Sequence, residues 1–203
     1  MTQAAFSDET LARVAAEVAR VGGREIAPIG QLLADLGRML PELHSPRAIP
    51  EGEPYWRAPL YRTDALEIVQ MVFGAKQAWL PHDHGRSPGW VHILWGEAEH
   101  VLYEFQEDGT LHEERREALT EGGLTFMPEG LIHTLGPADN RLSTIFAYAP
   151  PITGMGVYDP AAGCGCIVSD DCGAWWPTRP DHMVRQFRFP ASNPTESIKE
   201  RTT

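Results

Sequence analysis

Two histidines one residue apart, His82 and His84, stand in the run LPHDHGRSPGWVHILWG (residues 80–96), among Trp, Val, Ile and Leu. In a strand, residues i and i+2 point to the same face, so both imidazoles would project into one space. A third candidate, His133, follows Pro128-Glu129-Gly130 in the run EGGLTFMPEGLIHTLG. Imidazole nitrogen suits iron, copper, nickel and zinc, so three such side chains brought together make a metal site without choosing its metal. Three ligands on one side of an ion leave positions open on the other, where a substrate can enter.

The elements that must position these histidines are short and β-prone. From Leu60 onward, runs such as ALEIVQMVFG, GWVHILWGE and RLSTIFAYAPP are punctuated by Gly, Pro and Asp-Gly. The EDG between HVLYEFQ and TLHEERREAL is a hairpin signal. Many short strands with close turn signals point to a sandwich or small barrel. Ahead of them, SDETLARVAAEVARVGG reads as a helix. Ser7 or Asp8 caps it, Leu11, Val14, Ala15 and Val18 form its apolar stripe, and Gly22-Gly23 stop it. PIGQLLADLGRMLPE reads as a second helix ending near Pro41, and the proline-rich HSPRAIPEGEPYW as a connector. Both helices must bury a stripe, and the outside of the barrel is the available surface. The expected organisation is one domain over 1–203. Residues 1–50 form a helical elaboration, 60–160 the barrel core, and 161–203 a C-terminal extension with a polar, frayed tail after Pro190.

The 203 residues carry a formal net charge of −11, which argues against a nucleic-acid partner that would need a basic patch. No apolar run approaches the roughly 18 residues of a membrane helix, and MTQAAFSDET lacks the basic-then-apolar pattern of a secretory signal. A cytoplasmic protein without a membrane partner is expected. The three cysteines, Cys164, Cys166 and Cys172, are spaced C-x-C-x5-C rather than as the paired C-x2-C of structural zinc, and an odd count does not suggest a disulfide framework. Their loop, GCGCIVSDDCGAWWP, is glycine-rich and placed after Tyr158 so that it could cover a barrel mouth. Trp79, Trp90, Trp95, Trp175 and Trp176 read as core or lid. His92 shares strand parity with Trp90 and Leu94 and is read as structural; His44, His100, His112 and His182 are assigned no role.

The spacing around the three candidate ligands is specific. Gly122 to His133 reads G-x5-P-x-G-x2-H, and the first run reads H-x-H, four residues, Gly89, six residues, Gly96. Together these resemble the two motif blocks of the cupin superfamily, small mainly-β barrels of double-stranded β-helix or jelly-roll form. Two departures stand out. Pro137 replaces the last Asn of the second block, and Gly89 stands where most metal-binding cupins carry a glutamate ligand. With HDHG followed by Ser87 in the first block and FAYAPP after the second, the chain more narrowly resembles the thiol dioxygenases typified by cysteine dioxygenase, from Tyr61 to Pro151.

That resemblance implies Fe(2+) held by His82, His84 and His133. A third imidazole in place of a carboxylate makes the site one unit more positive, which favours a thiolate and reduced dioxygen in the open positions. The resemblance also implies an arginine early in the barrel that holds a substrate carboxylate. Here that is Arg62, with Arg57 as the second candidate, since a planar guanidinium suits a carboxylate. It implies a tyrosine late in the barrel, Tyr148, with Ala149-Pro150 in cis. Thr144 and Phe146 stand where the family has a serine and a histidine, and Gly89 where animal enzymes have a crosslinking cysteine, so no crosslink is expected. The implied partners are O2 and a small carboxylate-bearing thiol, cysteine first and mercaptopropionate or another mercapto-acid next, giving a sulfinic acid. A three-histidine cupin enzyme acting on a non-thiol substrate, and a cupin that binds a small molecule without turnover, remain as alternatives. The oligomeric state is left open.

Overall fold

In the computed structural model residues 6–21, 26–51, 53–75 and 79–192 are described. Helix α1 (Asp8–Val21) buries Thr10, Val14 and Val18 on one face. Of the two candidate caps it is Ser7 that acts, its Oγ accepting the Thr10 backbone N–H at 3.2 Å. The stop expected at Gly22-Gly23 lies outside the described residues. Helix α2 (Ile26–Met39) begins two residues ahead of Pro28. A proline there costs no intrahelical hydrogen bond, because first-turn N–H groups have no partner within the helix. The helix ends as expected just before Pro41, where a 3₁₀ turn (Pro41–His44) takes over. No helix among the described residues is long and apolar enough to cross a membrane.

Among the described residues eleven strands follow: β1 (Tyr55–Arg62), β2 (Glu67–Phe73), β3 (Gly89–Trp95), β4 (Ala98–Phe105), β5 (Leu111–Leu119), β6 (Leu124–Met127), β7 (Ile132–Pro137), β8 (Leu142–Tyr148), β9 (Gly156–Asp159), β10 (Cys164–Val168) and β11 (Met183–Arg188). The first begins inside the segment read as a connector, because Tyr55 and Trp56 find partners in Phe73 and Val72. The EDG signal is a tight turn between β4 and β5, with Gly109 at φ +81° and the Gln106 N–H on the Thr110 carbonyl.

The strands form a five-stranded sheet, β1-β2-β8-β3-β6, and two three-stranded groups, β5-β4-β7 and β11-β10-β9. All the pairings are antiparallel. The two groups are joined through the segment around His82. His82 exchanges both backbone hydrogen bonds with His133 at 2.9 Å, while Asp83 N–H reaches Gly156 O and Tyr158 N–H reaches Pro81 O on the other side. The second sheet thus runs β5-β4-β7, the His82 segment, β9-β10-β11.

Period-2 alternation sorts the five-stranded sheet into two buried faces. Ile68, Leu94, Ile145 and Ala147 pack with Leu32, Leu33, Leu36 and Leu40 of α2 and with Val14 and Val18 of α1. Val69, Val91, Ile93, Phe146 and Tyr148 face the second sheet and meet Leu135 and Ala98. A strand covered on both faces is buried along its whole length, as β8 is, Ser143 and Thr144 included. Close docking of α2 needs glycine: a Cβ at Gly30 would lie 3.0 Å from Trp90 Cδ2, and one at Gly37 2.9 Å from His92 Nε2. His92 therefore lies on the helix side of the sheet, in keeping with a structural role. The architecture is mainly β, a double-stranded β-helix with a helical layer outside.

Leu36, fully buried between α2 and the sheet, tests how much that layer contributes. Leu36→Ala is expected to cost about 2–5 kcal/mol in urea unfolding. A loss under about 1 kcal/mol would mean the helices are not coupled to the sheet.

Candidate metal centre

The backbone exchange between His82 and His133 puts two candidate ligands opposite one another, and the turn after Asp83 brings His84 to the same side. The ring centroids of the three lie 4.7–5.4 Å apart. One nitrogen from each falls within 4.8 Å of the others, and His84 Nε2 lies 3.2 Å from His133 Nε2. Adjacent ligands on bonds of about 2.1 Å lie about 3.0 Å apart, so this separation fits a metal between them. His82 and His84 do not sit in a regular strand; only His82 carries strand-like bridges, to His133 and Val157.

The tautomers favour ligation. His82 Nδ1 lies 3.1 Å from the Leu80 carbonyl, which only accepts, so Nδ1 holds the proton and Nε2 is left with its lone pair. Burial pushes all three imidazoles down from their ordinary pKa, most strongly His84 and His133, with the neighbouring imidazoles adding to it. Neutral imidazole is the form that binds metal. The carboxylate between the ligands is committed elsewhere. Asp83 Oδ1 accepts the N–H groups of Gly85 (2.6 Å) and Gly156 (3.2 Å), and its Oδ2 accepts the Tyr158 hydroxyl at 2.5 Å.

The histidines border a cavity of about 220 Å³. Tyr148 lines it, with its ring 4.9 Å from that of His84 and stacked on Phe146 at 5.7 Å with an interplanar angle of 9°. Burial raises the Tyr148 phenol far above its usual pKa, so it stays protonated and can donate. Gly89 is tied to this packing: a Cβ there would lie 2.6 Å from the Ala147 carbonyl and 2.9 Å from Tyr148 Cδ1. The Ala149-Pro150 bond is cis. Thr144 is buried, but its hydroxyl finds no partner among the described residues, so it does not relay to Tyr148.

Arg62 and Arg57 both line the cavity and share one acceptor. Arg57 Nη2 reaches Glu67 Oε1 at 2.6 Å and Arg62 Nη1 reaches the same oxygen at 3.0 Å. The Glu67 side chain is only 3% exposed, against 38% for Arg57 and 55% for Arg62. It lies opposite Tyr148 in the β2–β8 register. The guanidiniums therefore present one net positive charge to the cavity. Phe73, Trp79, Leu135 and Ile152 add apolar surface to the lining, and residues 170–174 of the cysteine-bearing loop line the cavity as well. Of the cysteines only Cys172 lines the cavity, and burial raises its thiol pKa.

Sequence reading missed Glu67 and His100. His100, assigned no role, is 1% exposed and hydrogen-bonded to His133 at 2.9 Å. Its strand parity with the buried Ala98 and Leu102 was the available signal.

No protein-family model matches the chain. Among solved structures, it is similar to the DMSP lyase DddQ from Ruegeria pomeroyi (TM-score 0.45, 16% identity, 70% of this chain and 92% of that one). It is also similar to KdgF from a Halomonas species (0.42, 19%, 53% and 89%). A third is a cupin family protein with a double-stranded β-helix fold from Methanocaldococcus jannaschii (0.39, 15%, 51% and 87%).

Neutral burial of His84 and His133 has a pH signature. In the unfolded chain a histidine titrates near about 6.5, while in the fold these two resist protonation to lower pH. Below that value the unfolded chain takes up protons that the folded one refuses. Stability of the metal-free protein is thus full above about pH 6.5 and declines as the pH falls toward the folded values. Urea midpoints of metal-free protein should drop between about pH 7.5 and 5.5. A flat midpoint would mean that the imidazoles accept protons in the folded state.

Proposed function

We propose that the protein is an Fe(II)-dependent thiol dioxygenase that converts a small carboxylate-bearing thiol to its sulfinic acid. The observation that carries this reading is three clustered imidazoles, with no carboxylate in the ligand group, bordering a cavity that Tyr148 and a pair of guanidiniums also line, together with Tyr55, Glu67, Asp170 and Asp171. Imidazole donors with the spacing described fit a first-row divalent metal. Ferrous iron, when bound, couples the oxidation of a thiolate to the reduction of dioxygen.

The chain's own residues do the rest. Arg62 and Arg57 have N–H groups beyond those given to Glu67, and these receive the substrate carboxylate in a charge-assisted pair. That contact fixes the end of the molecule remote from sulfur and turns the sulfur toward His82, His84 and His133. Tyr148, held protonated by burial, donates a hydrogen bond to an anionic atom beside His84. Phe146 lies flat against the Tyr148 ring where the family's histidine would stand, so this wall is apolar and offers no polar partner to a substrate amine. Phe73, Trp79 and Leu135, which also line the cavity, give it apolar surface that disfavours water. The reaction balances without another reductant. The thiol sulfur loses four electrons, dioxygen gains them, both oxygen atoms stay on sulfur, and the thiol proton is released. Cysteine is the first substrate on this reading. Mercaptopropionate, which lacks the amine, follows closely because of Phe146.

Oxygen uptake by anaerobically iron-loaded protein, with the product identified by mass, tests the reaction across cysteine, mercaptopropionate, mercaptosuccinate and cysteamine. Uptake with a carboxylate thiol and a sulfinate product is expected. No uptake with any of the four, while iron stays bound, would move the reading to a non-thiol substrate. Arg62→Ala and Arg57→Ala should each raise KM for the carboxylate thiol by about 10- to 100-fold, the worth of a hydrogen bond to a charged group, and leave cysteamine little changed. Equal losses for both kinds of thiol would make the arginines structural.

A further inference from the structure

We infer that His100 and Glu117 are positioning residues for the metal centre, setting the proton on His133 through two hydrogen bonds in series; this rests on the reading of His82, His84 and His133 as metal ligands. His133 Nδ1 lies 2.9 Å from His100 Nε2, and His100 Nδ1 lies 2.9 Å from Glu117 Oε1. An ionised carboxylate only accepts, so the proton on His100 is at Nδ1. The Nε2 of a neutral His100 is then an acceptor, and the proton it takes up in hydrogen bonding belongs to His133 Nδ1. That leaves His133 Nε2 with a bare lone pair, on the side where it meets His84 Nε2 at 3.2 Å. One carboxylate at the end of the row thereby dictates the tautomer of both imidazoles.

The row is built by strand register. β4 lies between β5 and β7, and His100 is directly opposite Glu117 on one neighbour and Leu135 on the other. His133 is opposite Leu102, two residues along β4 and on the same face as His100. His100 is thus a direct cross-strand neighbour of Glu117 and a diagonal neighbour of His133. His100 and His133 are each 1% exposed, while the Glu117 side chain is 30% exposed and pairs with Arg115 at 3.5 Å. The charge that orients the row therefore sits at the rim, spared the cost of full burial. His82 is oriented differently, by a neutral backbone carbonyl. A carboxylate behind an imidazole makes it the more basic donor, and here that charge reaches His133 through His100, whereas His82 has only a neutral carbonyl behind it.

The test uses the full chain, stripped of metal and titrated with Co(II) against a chelating fluorophore, with the visible Co(II) spectrum recorded. His100→Leu removes the acceptor and should weaken binding by about 10- to 100-fold. His100→Gln, whose amide can accept from His133 and donate to Glu117, should recover most of that loss. Glu117→Gln should shift the Co(II) bands and, in iron-loaded protein, raise the Fe(III)/Fe(II) midpoint, since it removes the charge behind His133. Thermal unfolding of the metal-free variants separates these effects from a loss of fold. Should His100→Leu fail to fold, the two glutamine variants carry the comparison. Wild-type affinity, spectrum and midpoint in every variant would overturn the row and leave the metal centre standing. Wild-type protein that binds no Co(II) would overturn the metal centre and the row with it.

Discussion

The pair of backbone hydrogen bonds between His82 and His133 is the constraint on which the rest depends. It joins two strand groups into one sheet, and it does so at the residues whose side chains make the candidate centre. Closing the barrel and assembling the site therefore rest on the same contact. If the His82 segment does not insert beside β7, the second sheet lacks its middle and two of the three imidazoles have no common space. Asp83 secures the other edge of the same segment, accepting from Gly156 and Tyr158 of β9. Its carboxylate is spent on holding the His82 segment in place.

Rigidity is supplied from behind. The five-stranded sheet carries the Tyr148–Phe146 stack on its inner face and the two helices on its outer face. Because both faces are packed, shifting β8 by one residue would put Phe146 and Tyr148 among the leucines of α2. The register of the cavity wall is thus enforced by apolar contacts that take no part in the chemistry. The same sheet shows why Gly89 belongs beside Tyr148, since any side chain there would push into the Ala147 carbonyl.

Much of this was legible in the sequence, for reasons that differ from element to element. The two helices announced themselves through stripes and a cap, and the β4–β5 turn through its Asp-Gly. The convergence of the three histidines could be read only through the resemblance of their two sequence blocks to the cupin motifs. The strand assumed for His82 and His84 could not hold over its length: residues 83–88 are mostly irregular, and one bridge at His82 suffices to aim the rings. Glu67 was hidden because it reads as an ordinary polar residue at a strand start, and only pairing with β1 and β8 shows that it is buried under two arginines. His100 was hidden for a related reason. Its partners lie 17 and 33 residues away, and its strand parity with Ala98 and Leu102 speaks for burial without saying which groups it meets.

Glu67 also changes what selectivity means in this cavity. Arg57 and Arg62 already hold a carboxylate that belongs to the chain. On the proposed reading an incoming carboxylate would not meet bare cations; it would join or displace a resident of its own kind. Its net gain is the difference between two similar partnerships, far smaller than the pairing of an acid with an unattended base. Recognition by exchange tolerates no excess of negative charge, because three carboxylates on two guanidiniums repel. It also keeps the arginines ordered before anything arrives, so the entropy of arranging them is lost in folding rather than at each encounter.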